Sequence, residues 1–190
     1  MSTNRYSSLL EVECPEIEDL SCEIGQKADL SKAILRETLL RNALETFKRF
    51  TYVDTKGILP VEDAARNGVG NCISLSCLMA LTLEKVGVPE TEMYIAIGVR
   101  TVDPARLHAY LLVRGDSSGE FFLIDPEFRR LVRFSIERFL SKYRVHVIFN
   151  RNKLAVKPEE KQSVLERLAS IPTVSVEPQA AHTISSATPN

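Results

Sequence analysis

The sequence predicts an α+β fold in which one buried central helix packs on an antiparallel sheet of about 4–5 strands, with further helices on the N-terminal side. Three observations carry this. Residues 72–86 are apolar nearly all round (Ile73, Leu75, Cys77, Leu78, Met79, Ala80, Leu81, Leu83) and lie between Gly68-Val69-Gly70 and Gly87-Val88-Pro89, the punctuation of a helix that other elements enclose. Beyond Pro89 the pattern changes to runs of strand length at 93–100, 107–113 and 120–124, separated by turn-rich segments at Asp103-Pro104 and 115–119. Upstream, Leu30, Ile34, Leu35, Leu39, Ala43, Leu44, Phe47 and Phe50 recur with the period of an amphipathic helix.

Each element follows in chain order. Residues 1–28 are polar, with a break at Cys14-Pro15, and read as an N-terminal arm that packs loosely or holds one short helical turn. Residues 29–170 read as one domain. Its first helix starts from Asp29 or Ser31 as N-cap. Pro60 at a first helical position and Gly68 past a last one bracket a short helix through Val61, Ala64 and Ala65. The strands at 107–113 and 120–124 form a hairpin, and Asp125-Pro126 ends the second of them. Residues 135–143 have helical spacing through Ile136, Phe139 and Leu140; 145–149 and 154–156 flank a turn as a final hairpin; 158–169 add a last helix. From Ile171 on, Pro, Ser, Thr, Ala and Gln dominate without period, so 171–190 read as a disordered tail.

Composition narrows the function. The 24 basic and 25 acidic residues are spread through the chain and leave a net charge of −1, which is no footprint of a nucleic-acid or membrane-surface binder. The N-terminus turns acidic at Glu11 and Glu13 before any apolar stretch forms, and no later run approaches the ~20 residues that span a bilayer, so the reading is cytoplasmic. Four cysteines (Cys14, Cys22, Cys72, Cys77) match no zinc spacing, and a reducing compartment keeps them as thiols. The sequence leaves the oligomeric state open.

Cys72 falls in the first turn of the central helix. Unpaired backbone N–H groups and the positive end of the helix dipole there favour a thiolate and can hold the oxyanion of an attacked carbonyl. In the hairpin, pairing Val113 with Phe121 or Glu120 brings His108 level with Asp125. With the face carrying His108 laid on the N-terminal end of the Cys72 helix, the three side chains line up as nucleophile, base and orienter. Each has a plainer reading: an inert buried thiol, a satisfied core histidine, a turn cap before Pro126. His146, on a later strand, and Cys77, five residues past Cys72, read as structural. Cys77 is rotated about 140° around the helix from Cys72, so the two do not share an ion, and neither metal nor cofactor is expected. Arg129-Arg130-Leu131-Val132-Arg133 reads as a solvated basic face.

Gly70-Asn71-Cys72 opening a helix that ends in Gly87-Val88-Pro89, then His108-Ala109-Tyr110 on a strand and Asp125-Pro126 after the next, is an ordered set. It resembles the transglutaminase-like members of the papain-like cysteine enzymes over roughly residues 55–130. The resemblance implies a central helix against an antiparallel sheet and carries the catalytic roles onto Cys72, His108 and Asp125. It also implies an oxyanion donor from a side chain upstream of the cysteine, for which Asn67 and Asn71 are the candidates. Three positions depart from the pattern: Ser74 and Leu75 stand where many relatives carry an acidic and an aromatic residue, and Glu127 follows Asp-Pro where threonine is frequent. The implied activity is cysteine-dependent acyl transfer through an acyl-enzyme, on a peptide, protein or small substrate bearing an amide, ester or thioester. The expectation leans to protease or amidase hydrolysis. An amine acceptor would make the enzyme a transglutaminase or amide-forming acyltransferase, and a silent site would leave a transglutaminase-like binding module.

Overall fold

Helices gathered round one apolar helix, laid on a five-stranded sheet, set the position of every residue singled out above. The computed structural model describes residues 7–27, 36–55, 57–116 and 119–151, together with Lys161 and Glu166. The helices are α1 (Pro15–Lys27), α2 (Arg36–Phe47), α3 (Val61–Asn67), α4 (Cys72–Lys85) and α5 (Ile136–Lys142). The strands are β1 (Thr51–Tyr52), β2 (Val69–Gly70), β3 (Met93–Arg100), β4 (Asp103–Arg114), β5 (Glu120–Asp125), β6 (Arg130–Ser135) and β7 (Tyr143–Phe149). The predicted α+β class is therefore the observed one.

α4 is the central helix. Ser74 through Leu83 are all buried, as its lack of a polar stripe requires, and α1, α2, α3 and β4 enclose it. The main sheet runs β6-β5-β4-β3-β7, with every neighbour antiparallel. Because strand side chains alternate, its two faces build two cores. Ile95, Ile97, Ala109, Leu111, Val113 and Ile124 pack with α4, whereas Tyr94, Ala96, Tyr110, Leu112 and Leu123 pack with Phe139 of α5. Among the described residues, no helix is long and apolar enough to cross a membrane.

Several elements differ from expectation, each for a physical reason. The segment read as a loose arm contains a 13-residue helix that buries Ile17, Leu20, Ser21 and Ile24. Pro15 opens that helix rather than breaking the chain, since a first helical position needs no N–H. The basic run holds β6, an edge strand with Arg130 and Arg133 exposed. Charged side chains are what edge strands carry to discourage further pairing, and they hide the strand from a search for apolar alternation. Asp103-Pro104 lies inside β4, where a register shift at Val99/Arg100 absorbs the irregularity. β7 pairs antiparallel with β3, a partner the sequence reading did not assign it. Residues 154–156, the expected N-cap at Asp29 or Ser31 and the tail 171–190 lie outside the described residues. Of the helix expected at 158–169, Lys161 and Glu166 are described, and both are helical.

The β3–β7 pairing depends on Gly98. A Cβ at this position would stand 2.4 Å from the Arg144 carbonyl oxygen and 3.0 Å from Val145 Cα, both backbone atoms of the facing strand. Backbone cannot swing away as a side-chain tip can, so Gly98→Ala is expected to cost about 1–3 kcal/mol through forced separation of the strands. Thermal denaturation measures this, and an unchanged Tm would contradict it.

Candidate active site

A short parallel pairing delivers the cysteine. α3 stops at Gly68, left-handed at φ 66, and Val69-Gly70 pairs with Thr51-Tyr52 before α4 begins. Gly70 has no room for a side chain: a Cβ would lie 2.8 Å from Leu75 Cδ2 and from Ser74 Oγ, so the strand can run this closely into the helix only as glycine. Asn71 then caps α4. Its Oδ1 accepts from the Ser74 amide at 3.0 Å, and Ser74 Oγ accepts from the Asn71 amide at 2.9 Å. This is a capping box with serine where glutamate or glutamine is usual, which accounts for Ser74 at a position where an acidic residue was the norm.

The cap has a consequence for the oxyanion. Asn71 Nδ2 donates to Thr55 Oγ1 at 3.1 Å and to the Gly57 carbonyl at 2.7 Å. Both amide protons and the amide oxygen are thus committed to structure, so the buried Asn71 side chain has no donor left for a substrate. Asn67, the other candidate, is exposed at the last position of α3. The amides of Cys72 and Ile73 remain, because the first residues of a helix have no acceptor within it and the cap takes only Ser74.

His108 comes from β4. The hairpin pairs Leu111 with Ile124, Leu112 with Leu123 and Val113 with Phe122, one residue away from the expected Val113–Phe121. The ladder ends at Leu111–Ile124, so His108 lies beyond the paired stretch, on the same face of β4 as Tyr110, where Asp125 at the end of β5 and Glu127 in the turn between β5 and β6 both approach it. Both carboxylates reach the ring. Asp125 Oδ1 accepts from Nε2 at 3.0 Å and also from the Phe128 amide at 3.2 Å. Glu127 Oε2 stands 3.2 Å from Nδ1.

Along β4, His108 alternates with Tyr110 and Leu112, not with the residues that pack on α4. The expected laying of its face on the helix is therefore not what joins it to Cys72; the ring meets the sulfur at the N-terminal end of α4. Tyr110 packs edge-on against the ring, with centroids 4.7 Å apart. His108 is 4% exposed and Asp125 6%, while Cys72 is half-buried. Burial pulls the His108 pKa down, but the Asp125 hydrogen bond, the Cys72 sulfur and their negative charges outweigh it and raise the pKa to about 9. Cys72 lies close enough to the ring to raise its pKa, and Nδ1 has no aligned hydrogen bond among the described residues. Burial pushes the Cys77 thiol far up, in keeping with a packing role. His146 faces solvent on β7.

The structure adds Glu127, Arg106 and Tyr52 to the cluster. Arg106 pairs with Glu127 Oε1 and donates to the Tyr52 hydroxyl at 3.4 Å. A strand period of two puts Arg106 on the same face as His108, a signal present in the sequence. Tyr52 has no such signal, since a two-residue strand has no period.

Three solved structures share the fold. LapG of Legionella pneumophila aligns over 88% of this chain and 98% of its own at 16% identity, with a TM-score of 0.57. Calcium-bound LapG aligns over 82% and 88% at 16% identity and 0.56, and EGTA-treated LapG over 88% and 98% at 15% identity and 0.54. At these identities the likeness is one of fold. No family model matches the chain, and no curated protein does.

Calcium in one of these structures raises the question of a metal here. Among the described residues, His108, Asp125 and Glu127 bring donor atoms within 4.8 Å of one another. Calcium takes six to eight oxygens. This set offers an imidazole nitrogen and two carboxylates, with Asp125 Oδ1 already accepting from His108 and Phe128, and Glu127 Oε1 from Arg106. It does not fit calcium.

Proposed function

We propose that the protein is a cysteine-dependent hydrolase that cleaves an amide bond in a peptide or protein through an acyl-enzyme. The observation that carries this reading is a half-buried thiol at a helix N-terminus beside a histidine whose far nitrogen is fixed by a buried carboxylate. The fold shared with LapG accords with the transglutaminase-like resemblance carried by the Cys72, His108 and Asp125 motifs.

In this reading Cys72 attacks as the thiolate, with its proton on Nδ1 of His108. The new S–C bond pushes the carbonyl electron pair onto oxygen, where the Cys72 amide, with that of Ile73 beside it, is placed to receive the oxyanion. His108 returns the proton to the leaving nitrogen as the C–N bond breaks, then takes a proton from water as its oxygen attacks the thioester; the C–S bond breaks, the acid leaves, and the thiolate–imidazolium pair is restored. Asp125 holds the ring so that Nδ1 faces the sulfur throughout. The test is incubation with a mixture of unstructured peptides and mass-spectrometric search for new N-termini. Products that depend on Cys72 support the reading; an added amine appearing in the products would make the enzyme a transferase, and no covalent product at all would leave a binding module.

A further inference from the structure

We propose that Glu127, restrained by Arg106, is a positioning residue on the thiol-facing edge of His108, and that the Arg106–Glu127 pair decides whether Nδ1 serves Cys72 or is captured by a carboxylate. The inference rests on the reading of Cys72 and His108 as the reacting pair and goes beyond it. Nε2 is committed to Asp125, so Nδ1 alone can exchange a proton with the thiol. At that nitrogen stands a second carboxylate, placed there by the turn between β5 and β6: Glu127 Oε2 is 3.2 Å away, the separation of a hydrogen-bonded ion pair. Yet both Nδ1 and Oε2 are buried without an aligned hydrogen bond among the described residues.

The carboxylate is kept out of line from its other end. Arg106 Nη2 pairs with Oε1 and also reaches the Tyr52 hydroxyl on β1, so one nitrogen ties Glu127 to the strand that pairs with Val69-Gly70. The Glu127 side chain is 10% exposed, so its ion pair with Arg106 is largely shielded from water. The charged and titratable groups around the ring are Asp125 at the end of β5, Glu127 in the turn after it, Cys72 on α4, Tyr110 and Arg106 on β4, and Tyr52 on β1. Phe128, whose ring centroid is 6.0 Å from that of His108, carries Arg106 at 5.6 Å and Arg130 at 5.5 Å over its face. With Arg106 in place, Glu127 lends negative potential to the imidazolium while leaving Nδ1 for the sulfur. Without Arg106 the carboxylate is free to rotate onto Nδ1 and close that bond, which withdraws the base from Cys72.

The experiment follows Cys72 alkylation by iodoacetamide, read peptide by peptide, from acid to alkaline pH in wild type, Arg106→Gln, Glu127→Gln and the double variant. Arg106→Gln is expected to slow the reaction by at least about tenfold, and adding Glu127→Gln to restore it, because the competitor is gone. Glu127→Gln alone is expected to move the rate profile to lower pH, since a lost negative charge disfavours protons on both His108 and Cys72. A double variant as slow as Arg106→Gln, or an unmoved profile in Glu127→Gln, overturns the proposal. Should Arg106→Gln fail to fold, Arg106→Met keeps the apolar stem and removes the charge, and the same slowing and rescue are required of it. If Cys72 in the wild type reacts independently of His108, the functional reading and this inference fall together. If it reacts quickly and depends on His108 but is indifferent to Arg106 and Glu127, only the inference falls.

Discussion

Cys72→Ser is expected to abolish peptide cleavage while leaving the fold intact. The loss should be on the order of 10⁶ in turnover, the scale seen when a covalent nucleophile is removed. Replacing sulfur by oxygen is a small change in volume at a half-buried position, so stability is little affected. The chemistry explains the asymmetry. With a pKa of about 9, His108 carries its second proton at neutral pH and cannot take one from an alcohol. A thiol has already given its proton to that ring in the proposed ion pair. The expected result is that cleavage products vanish in the variant while the melting temperature holds, and residual cleavage within about tenfold of wild type would contradict a covalent role.

Asp125→Ala carries the second large effect. The carboxylate orients the ring through Nε2 and, with Cys72, is what lifts its pKa against burial. Its removal should lower turnover by about 10²–10⁴-fold. It should also change how stability depends on pH. A histidine whose folded pKa lies above its unfolded value of 6.5 stabilises the fold fully below that unfolded value, and the contribution is lost as pH rises through the folded pKa of about 9. In wild type, then, Tm should fall between neutral and alkaline pH from this source. In Asp125→Ala burial dominates, the folded pKa drops, and the fall should shrink or reverse. Equal pH dependence of Tm in the two proteins would show that Asp125 does not set the charge of His108.

The parts legible in the sequence were those whose signal is local and periodic. α4 announces itself by fifteen apolar-rich positions between glycines, and the alternation of β4 and β5 places His108 near Asp125 without further help. What was hidden depends on non-local pairing or on exact register. Glu127 sits in the turn between β5 and β6 and not in the β4–β5 ladder, so no strand pairing read from the sequence could foresee its carboxylate at His108. Tyr52 arrives through a two-residue parallel pairing with the loop before Cys72, which no periodicity records. Asn71 was legible as an asparagine at a helix start. Its full commitment to Ser74, Thr55 and Gly57 emerges only once the loop at 55–57 is folded over it.

The central claim is that His108 makes Cys72 a nucleophile, and the protein's own cysteines supply the comparison. Cys22 is exposed and Cys77 is buried, so accessibility alone orders their reactivity as Cys22, then Cys72, then Cys77. Iodoacetamide at neutral pH, with labelling read separately for each cysteine, should instead find Cys72 faster than the more exposed Cys22, and His108→Ala should return it to a rate below Cys22. Labelling of Cys72 that is slower than Cys22 in the wild type and unchanged by His108→Ala would contradict the account.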